Sequence, residues 1–163
     1  MYSRDETVKA ILALYQQLIK HPYLDESALL IPPPSGWTTI DETALRAIGK
    51  TDTVIDLLRH LPYLSGKDDG YTINYETVPI DFTIDSTGLI NTIPEYPLPG
   101  HCVYITDGIG REGYRLIIDT EKGMLCCSNL LLQLLTSTLR HHNSIQHRRL
   151  RRRLCCLEKH ARS

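Results

Sequence analysis

The fold class follows from residues 102–127, which have the sequence CVYITDGIGREGYRLIIDTEKGMLCC. Three runs of this segment, at 102–106, 114–119 and 124–127, are rich in β-branched and aromatic residues and therefore predict β-strands. Between the last two runs, residues 120–123 (TEKG) are typical of a tight turn. The segment therefore predicts antiparallel strands joined by short connections.

The residues before this segment predict helices. Ser3 and Glu6 have the spacing of a capping box, and apolar residues recur at helical spacing through 4–20. Thr39 and Glu42 repeat the capping-box spacing. A short second helix is therefore expected to begin there.

A third helix and two further strands complete the pattern. Thr51 or Asp52 can cap a helix that Pro62 ends. Apolar and polar residues then alternate through 71–75 and 78–84, and a period of two predicts strands with one covered face. Helices followed by a run of strands indicate an α+β fold. We predict an antiparallel sheet of about five to six strands, with N-terminal helices packed on it and a C-terminal helix or tail.

Net charge divides the chain into two parts. Residues 1–138 carry 10 Lys and Arg against 18 Asp and Glu, a net charge of −8. Residues 139–163 carry 8 Lys and Arg against Glu158 alone, a net charge of +7. This asymmetry predicts a single acidic α+β domain over 1–138 and a basic helix or disordered tail over 139–163.

The basic part contains a cluster of five arginines: Arg148, Arg149, Arg151, Arg152 and Arg153. Clustered guanidinium groups pair with phosphates or with acidic grooves, so this cluster could bind nucleic acid or act as a nuclear import signal. The alternative is a solvated helix face, or a tail that docks on the acidic surface of the same protein.

Composition argues against several classes of protein. No apolar run approaches the roughly 18 residues that a membrane span requires, and the N-terminus lacks the apolar segment of a secretory signal. The five cysteines include two adjacent pairs and do not form a disulfide framework. We therefore expect a protein of the cytoplasm, or of the nucleus if the arginine cluster is an import signal.

Residues 108–113 (GIGREG) match the G-x-G-x-x-G pattern of phosphate-binding loops. In a dinucleotide-binding unit this loop opens a helix, whose N-terminal amides receive the pyrophosphate. Here residues 114–119 predict a strand, so the glycines Gly108, Gly110 and Gly113 are interpreted as residues that supply positive φ at the bends of a hairpin loop. The alternative is a nucleotide-binding or small hydrolytic enzyme that uses the loop Gly108–Gly113.

Other candidate sites lack the required spacing. Zinc-binding knuckles place two residues between cysteines, whereas Cys126–Cys127 and Cys155–Cys156 are adjacent, and the histidines at 141, 142 and 147 follow no ligand pattern. No catalytic triad signature is present. Asp107 and Asp119 end predicted strands beside turns, where Asp is favoured for structural reasons. We predict no catalytic residue, no cofactor and no metal ion.

Three segments carry a resemblance. Residues 31–37 (IPPPSGW) and 53–63 (TVIDLLRHLPY) are similar to uncharacterised proteins of filamentous fungi, and residues 114–123 (YRLIIDTEKG) resemble the hairpin of the SUKH superfamily. That superfamily includes fungal regulators of cell-wall synthesis and bacterial immunity proteins. The resemblance covers about residues 5–128, and it implies an α+β domain that acts by binding other proteins, without catalysis.

We therefore predict a non-enzymatic protein-interaction domain with a protein partner. Aromatic residues near loops are frequent binding anchors. Four of them are candidates: Trp37, Tyr63, Tyr71 and Tyr75. Core packing is the alternative role for at least half of these residues.

Overall fold

The computed structural model describes residues 2–20, 24–65, 71–94, 97–110 and 112–129. Within these ranges the helices are α1 (Arg4–Ile19), α2 (Glu42–Ala47) and α3 (Asp52–His60). The strands are β1 (Leu29–Leu30), β2 (Tyr63–Leu64), β3 (Thr77–Pro79), β4 (Cys102–Tyr104), β5 (Thr106–Gly108), β6 (Tyr114–Asp119) and β7 (Met124–Asn129). The helices are segregated from the antiparallel strands, since only β1 precedes α2 and α3, so the predicted α+β class is confirmed.

Helix α1 begins where its capping residue predicts. The Ser3 hydroxyl accepts a hydrogen bond from the Glu6 N–H (3.4 Å), and Ile11 and Tyr15 are buried on one face. The Arg4 guanidinium forms an ion pair with Asp56 of α3 at 3.1 Å. These contacts fix the N-terminal helix against α3.

The cap predicted for α2 is wrong, and the cap predicted for α3 is confirmed. Helix α2 is capped by Asp41, not by Thr39, because the Asp41 carboxylate accepts the N–H groups of both Thr43 and Ala44. One short acidic side chain therefore satisfies two amides of the first turn, which Thr39 lies too far upstream to reach. Helix α3 is capped by Thr51, one of the two predicted residues.

The strands form three small sheets and not the single sheet of five to six strands that the sequence predicts. The strand orders are β1–β2, β3–β5 and β4–β6–β7, and every pairing is antiparallel. The division occurs because the extended segment 102–108 changes partner along its length. Its first half pairs with β6, and its second half pairs with β3.

A buried threonine bridges the gap where the segment changes partner. The Ile105 N–H donates to the Leu116 carbonyl of β6, and the Ile105 carbonyl accepts from Ile80 on the β3 side. The Thr106 hydroxyl accepts the Leu116 N–H (2.8 Å) and donates to the Tyr114 carbonyl (3.2 Å). Thr106 is only 1% exposed, so water cannot satisfy the β6 backbone groups near it. The Thr106 hydroxyl satisfies them in place of the backbone of β5, which pairs with β3.

The outer edge of β4 is closed by a side chain. The Asn91 amide accepts a hydrogen bond from the Tyr104 N–H (2.9 Å) and donates to the Tyr104 carbonyl (3.2 Å). Asn91 lies in the 3-10 helix Leu89–Thr92. Its amide thus imitates the backbone of a neighbouring strand and leaves this part of the edge unavailable for further pairing.

Residues 71–84 contain much less strand than their alternating pattern predicts. Only Thr77–Pro79 forms a strand, and Asn74 adds a single bridge to Thr77. The Asp81 carboxylate accepts the N–H and the hydroxyl of Thr83, which closes a turn where a strand was expected. The alternation of apolar residues arises here from a folded loop in which Phe82 is buried.

The hydrophobic core surrounds α3. Val54, Leu57 and Leu58 of this helix are fully buried, and the Trp37 indole N–H donates to the Leu61 carbonyl (2.8 Å) just after it. The buried core residues are Ile11, Tyr15, Ile40, Leu45, Val54, Ile55, Leu57, Leu58, Leu61, Tyr63, Leu64, Phe82, Val103, Ile105 and Ile118. One continuous core therefore joins the helices to the sheets.

None of the helices in the described ranges has the length and apolar composition that crossing a bilayer requires. The predicted domain boundary between residues 138 and 139 lies outside the described residues, as does the predicted basic tail.

We expect Thr106→Val to destabilise the protein, because valine has the same shape as threonine but leaves the Leu116 N–H without its acceptor. The expected loss is about 1–3 kcal/mol in the free energy of unfolding, measured by urea denaturation. Thr106→Ser keeps the hydroxyl and is the matched control, with a smaller loss. Equal stability of the valine variant and the wild type would contradict the bridging role of this hydroxyl.

Candidate functional site

The turn 74–77 lies beside residues 108–110 and 112–114, and together they form one end of the β3–β5 sheet, which we call the tip. The Ile109 N–H donates to the Glu76 carbonyl (2.9 Å), and the Tyr114 N–H donates to the Thr77 hydroxyl (2.9 Å). Thr77 is buried. The tip is therefore held by hydrogen bonds between two distant parts of the chain.

The glycine-rich loop is filled by a side chain of the protein itself. The Glu76 carboxylate accepts the Glu112 N–H at 2.8 Å. A Cβ atom at Gly110 would overlap the Glu76 carboxylate, and one at Gly113 would overlap the Glu76 carbonyl oxygen. Glycine is thus required at 113, where the overlaps are with the backbone of Glu76 and Gly108, whereas at 110 it leaves room for a flexible side chain.

The geometry after the loop is that of a hairpin. Residue 114 begins strand β6, so no helix N-terminus follows Gly113. The helix dipole and the row of free amides that receive a pyrophosphate are therefore missing at this place. The chain turns here as predicted, but the expectation that these glycines supply positive φ is wrong: in the described part of the chain positive φ occurs at Gly36, Gly49, Gly88 and Gly123, and not at Gly108, Gly110 or Gly113.

Glu76 adopts a backbone conformation that is rare for its residue type. Its φ is +45°, and it is the only residue other than glycine with positive φ in the described part of the chain. Such a conformation costs about 1–3 kcal/mol and persists only when the surroundings enforce it. The adjacent Asn74 side chain accepts the Tyr75 N–H, and the Thr77 hydroxyl donates to the Tyr75 carbonyl, so the turn is rigidly held.

The tip carries three exposed apolar side chains. Tyr75 is 70% exposed and Ile109 is 64% exposed, while Tyr114 is exposed to a smaller extent. Glu112 is exposed as well, and it lies in the glycine-rich loop with Ile109. Exposed apolar side chains at one end of a sheet have no role in the core, so these three residues are candidates for contact with a partner.

The four predicted interaction residues are placed differently. Tyr63 is 2% exposed, its hydroxyl donates to the Leu58 carbonyl, and its ring packs 6.1 Å from the ring of Trp37. This burial corrects the prediction for Tyr63, which packs in the core. Trp37 and Tyr71 are half-buried, and Tyr75 is exposed at the tip.

Sequence reasoning missed Ile109 and Tyr114 as exposed apolar residues at the same end of the sheet as Tyr75. The signal for Ile109 was present, because an isoleucine between two glycines of a loop has no neighbouring apolar residue with which to form a strand face. Tyr114 gave no such signal, since it is the first residue of a strand whose other members are largely buried.

A second cluster lies at the other end of the segment 102–108. The register of β4 and β6 pairs Cys102 with Asp119, and His101 precedes Cys102. One ligand atom of each of these three side chains lies within 4.8 Å of the other two. Cys102 and Asp119 are buried and His101 is half-buried.

Two groups of this cluster, the Cys102 thiol and the Asp119 carboxylate, have shifted pKa values. Burial, and next the charge of Asp119, raise the pKa of the Cys102 thiol to about 11. Burial alone would raise the pKa of Asp119, but hydrogen bonds from the backbone and the ammonium of Lys122 outweigh it and hold the pKa below its ordinary value. Asp119 is therefore ionised at neutral pH, and its carboxylate also accepts the Glu121 N–H.

A cavity of about 250 Å³ lies between the start of α1 and the β6–β7 hairpin. Only Tyr2 and Glu6 among its lining residues can titrate. Burial, with a smaller contribution from Asp56, raises the pKa of Tyr2 to about 12, so this phenol is neutral at physiological pH. The cavity lacks the paired acid and base that hydrolytic chemistry requires.

The other cysteines, the histidines and the arginines considered as candidate site residues lie either in strand β7 or outside the described residues. Cys126 and Cys127 are neighbours in β7 and are half-buried. The histidines at 141, 142 and 147, the cysteines at 155 and 156, and the arginine cluster Arg148–Arg153 lie outside the described residues.

We expect the substitutions Gly110→Ala and Glu76→Ala to be strongly coupled. Alone, Gly110→Ala displaces the Glu76 carboxylate from the Glu112 N–H and should cost about 1 kcal/mol in the free energy of unfolding. In the Glu76→Ala background the same change should cost almost nothing, a coupling of about 1 kcal/mol measured by urea denaturation.

The control for this cycle is Glu76→Gln, which keeps a side chain of the same length. Gly110→Ala should remain costly in that background. Additive effects of Gly110→Ala and Glu76→Ala would show that the loop is not built around the Glu76 carboxylate.

Comparisons of this chain with models of known protein families, with curated proteins and with solved structures found no match.

Proposed function

We propose that the chain is a non-enzymatic protein-interaction domain that binds its partner through the tip. The observation that carries the proposal is the exposure of Tyr75 on a strained turn held by hydrogen bonds, and of Ile109 in the loop that is hydrogen-bonded to this turn. A strained conformation that is retained at a surface is typical of a functional position.

Rigidity of the tip favours binding. Interfaces depend on a few large anchors, and Tyr is among the residues enriched there. The Tyr75 backbone is already ordered by Asn74 and Thr77, so association has little entropy to remove from this residue. A tyrosine and an isoleucine presented in this way would fill shallow apolar pockets on a partner.

The charge of the domain indicates the kind of partner. Residues 1–138 have a net charge of −8, and the exposed Glu112 lies beside the apolar side chains of the tip. A partner surface with apolar pockets and surrounding Lys or Arg would therefore be attracted to the tip and would associate with it rapidly.

The enzymatic alternative has less support. The loop Gly108–Gly113 contains the Glu76 carboxylate at the place where a nucleotide phosphate would have to bind, and two negative groups would repel each other there. The resemblance to the SUKH superfamily, whose domains bind other proteins, agrees with the interaction proposal. A location in the cytoplasm, or in the nucleus if the arginine cluster directs import, remains our expectation.

Site-specific photocrosslinking tests the proposal. The photoreactive residue p-benzoylphenylalanine replaces Tyr75 in one chain and Ile31 in a control chain, since Ile31 is also exposed (60%) but lies outside the tip. In a lysate of the source cells we expect one dominant protein adduct at position 75 and none of the same mass at position 31.

A second substitution makes the test specific. Ile109→Ser in the chain with the crosslinker at position 75 should reduce the adduct several-fold, because it removes an anchor without touching the core. Equal adducts at positions 75 and 31, or an adduct insensitive to Ile109→Ser, would reject the tip as the binding surface.

Nucleic-acid binding by the arginine cluster is a second candidate, favoured by the net charge of +7 over residues 139–163. Its expected signature in fluorescence anisotropy is an affinity for duplex DNA or RNA that falls steeply with salt, by a log–log slope of about −0.9 for each phosphate neutralised on B-DNA. Deletion of residues 140–163 should abolish binding while the folded domain is retained. Equal binding after that deletion would exclude this function.

A further inference from the structure

We propose that His101, Cys102 and Asp119 form a binding site for a Zn²⁺ ion. These side chains supply a nitrogen, a sulfur and an oxygen ligand atom, all within 4.8 Å of one another. Imidazole, thiolate and carboxylate are the three ligand types that Zn²⁺ uses in proteins. The site is separate from the tip and does not depend on the proposed interaction function.

The distances suit an ion of this size. Bonds of about 2.0–2.3 Å from Zn²⁺ to nitrogen, oxygen and sulfur bring ligand atoms closer together than 4.8 Å. The His101 Nε2 atom is 4.0 Å from the Asp119 Oδ1 atom. The His101 side chain is half-buried and can rotate to bring its Nε2 atom closer to the Asp119 carboxylate.

The backbone that carries the ligands is held in place. Both the N–H and the hydroxyl of Thr120 donate to the His101 carbonyl at 2.9 Å. The ammonium of the buried Lys50 donates to the Cys102 carbonyl at 2.8 Å. Strand pairing places Asp119 directly opposite Cys102. Preorganisation of this kind is what a metal site requires of its scaffold.

A carboxylate lies where the second coordination sphere of a zinc site needs one. The Glu121 Oε1 atom is 3.3 Å from the His101 Nδ1 atom. A zinc-binding histidine commonly donates its other ring N–H to such a carboxylate, which fixes the tautomer. With a proton on Nδ1, the Nε2 atom of His101 carries the lone pair and faces Asp119.

Two ammonium groups lie near the proposed ligands: that of Lys50, which donates to the Cys102 carbonyl, and that of Lys122, which competes with the metal for Asp119. The Lys122 ammonium lies 3.2 Å from the Asp119 Oδ2 atom. Lys122 is largely exposed, so it can swing into solvent when an ion binds Asp119. Three protein ligands would leave a fourth position of tetrahedral Zn²⁺ to water. The bound ion would join the start of β4 to the β6–β7 turn.

Titration of the full chain with Co²⁺ tests the site, because cobalt bound by a thiolate shows a charge-transfer absorption that reports the Co–S bond. The chain carries Cys155→Ser and Cys156→Ser so that these thiols do not contribute. We expect the absorption to saturate at one equivalent of Co²⁺ and to disappear when Zn²⁺ displaces the cobalt.

Substitutions then assign the ligands. Cys102→Ala should abolish the absorption, whereas Cys127→Ala, which removes a half-buried cysteine of the same sheet, should leave it unchanged. His101→Gln should weaken Co²⁺ binding at least tenfold, and Glu121→Gln should weaken it about 10–100-fold through the second shell. Circular dichroism verifies that each variant is folded.

The variant Lys122→Met distinguishes metal binding from a purely structural role of His101, Cys102 and Asp119. Removal of the competing ammonium should strengthen Co²⁺ binding severalfold and increase the rise in melting temperature caused by Zn²⁺. The proposal is overturned if the chain shows no thiolate absorption, if the absorption survives Cys102→Ala, or if His101→Gln and Lys122→Met leave the affinity unchanged.

Discussion

The extended segment 102–108 has to pair with two different strands, and the rest of the structure depends on how this is achieved. Its first half extends the β4–β6–β7 sheet and its second half pairs with β3. A strand cannot leave one neighbour for another without exposing backbone groups of the first neighbour. The Thr106 hydroxyl, with the Thr77 hydroxyl beside it, satisfies those groups in the buried interior. Two threonine side chains thus replace the hydrogen bonds that a continuous sheet would have supplied.

This arrangement also separates the two candidate sites. One end of the shared segment carries Cys102, opposite Asp119 of β6, and the other end carries Gly108 and the glycine-rich loop of the tip. The first end is buried and polar, with groups suited to a cation. The second end is exposed and apolar, with Tyr75 on a strained turn. An event at one end can be separated experimentally from an event at the other, since the sites share no side chain.

The sequence predicted the helices better than the strands, for a physical reason. A capping residue acts within three or four positions, so Ser3 and Thr51 mark their helices locally, and even the error at Thr39 shifted the cap by only two residues to Asp41. Strand pairing joins residues distant in the chain. The alternation through 71–84 therefore predicted strands that the turn at Asp81 prevents, and the division into three sheets had no local signal.

By itself the sequence determined the α+β class, the hairpin turn at 120–123 and the absence of a helix after Gly113, because each depends on propensities of neighbouring residues. Only the tertiary structure decided that Glu76 fills the glycine-rich loop, 34 residues away from Gly110. It also decided that His101, Cys102 and Asp119 meet, since their proximity comes from strand register and not from ligand spacing along the chain. Sites assembled by register are invisible to motif analysis, because no motif describes the distance between paired strands.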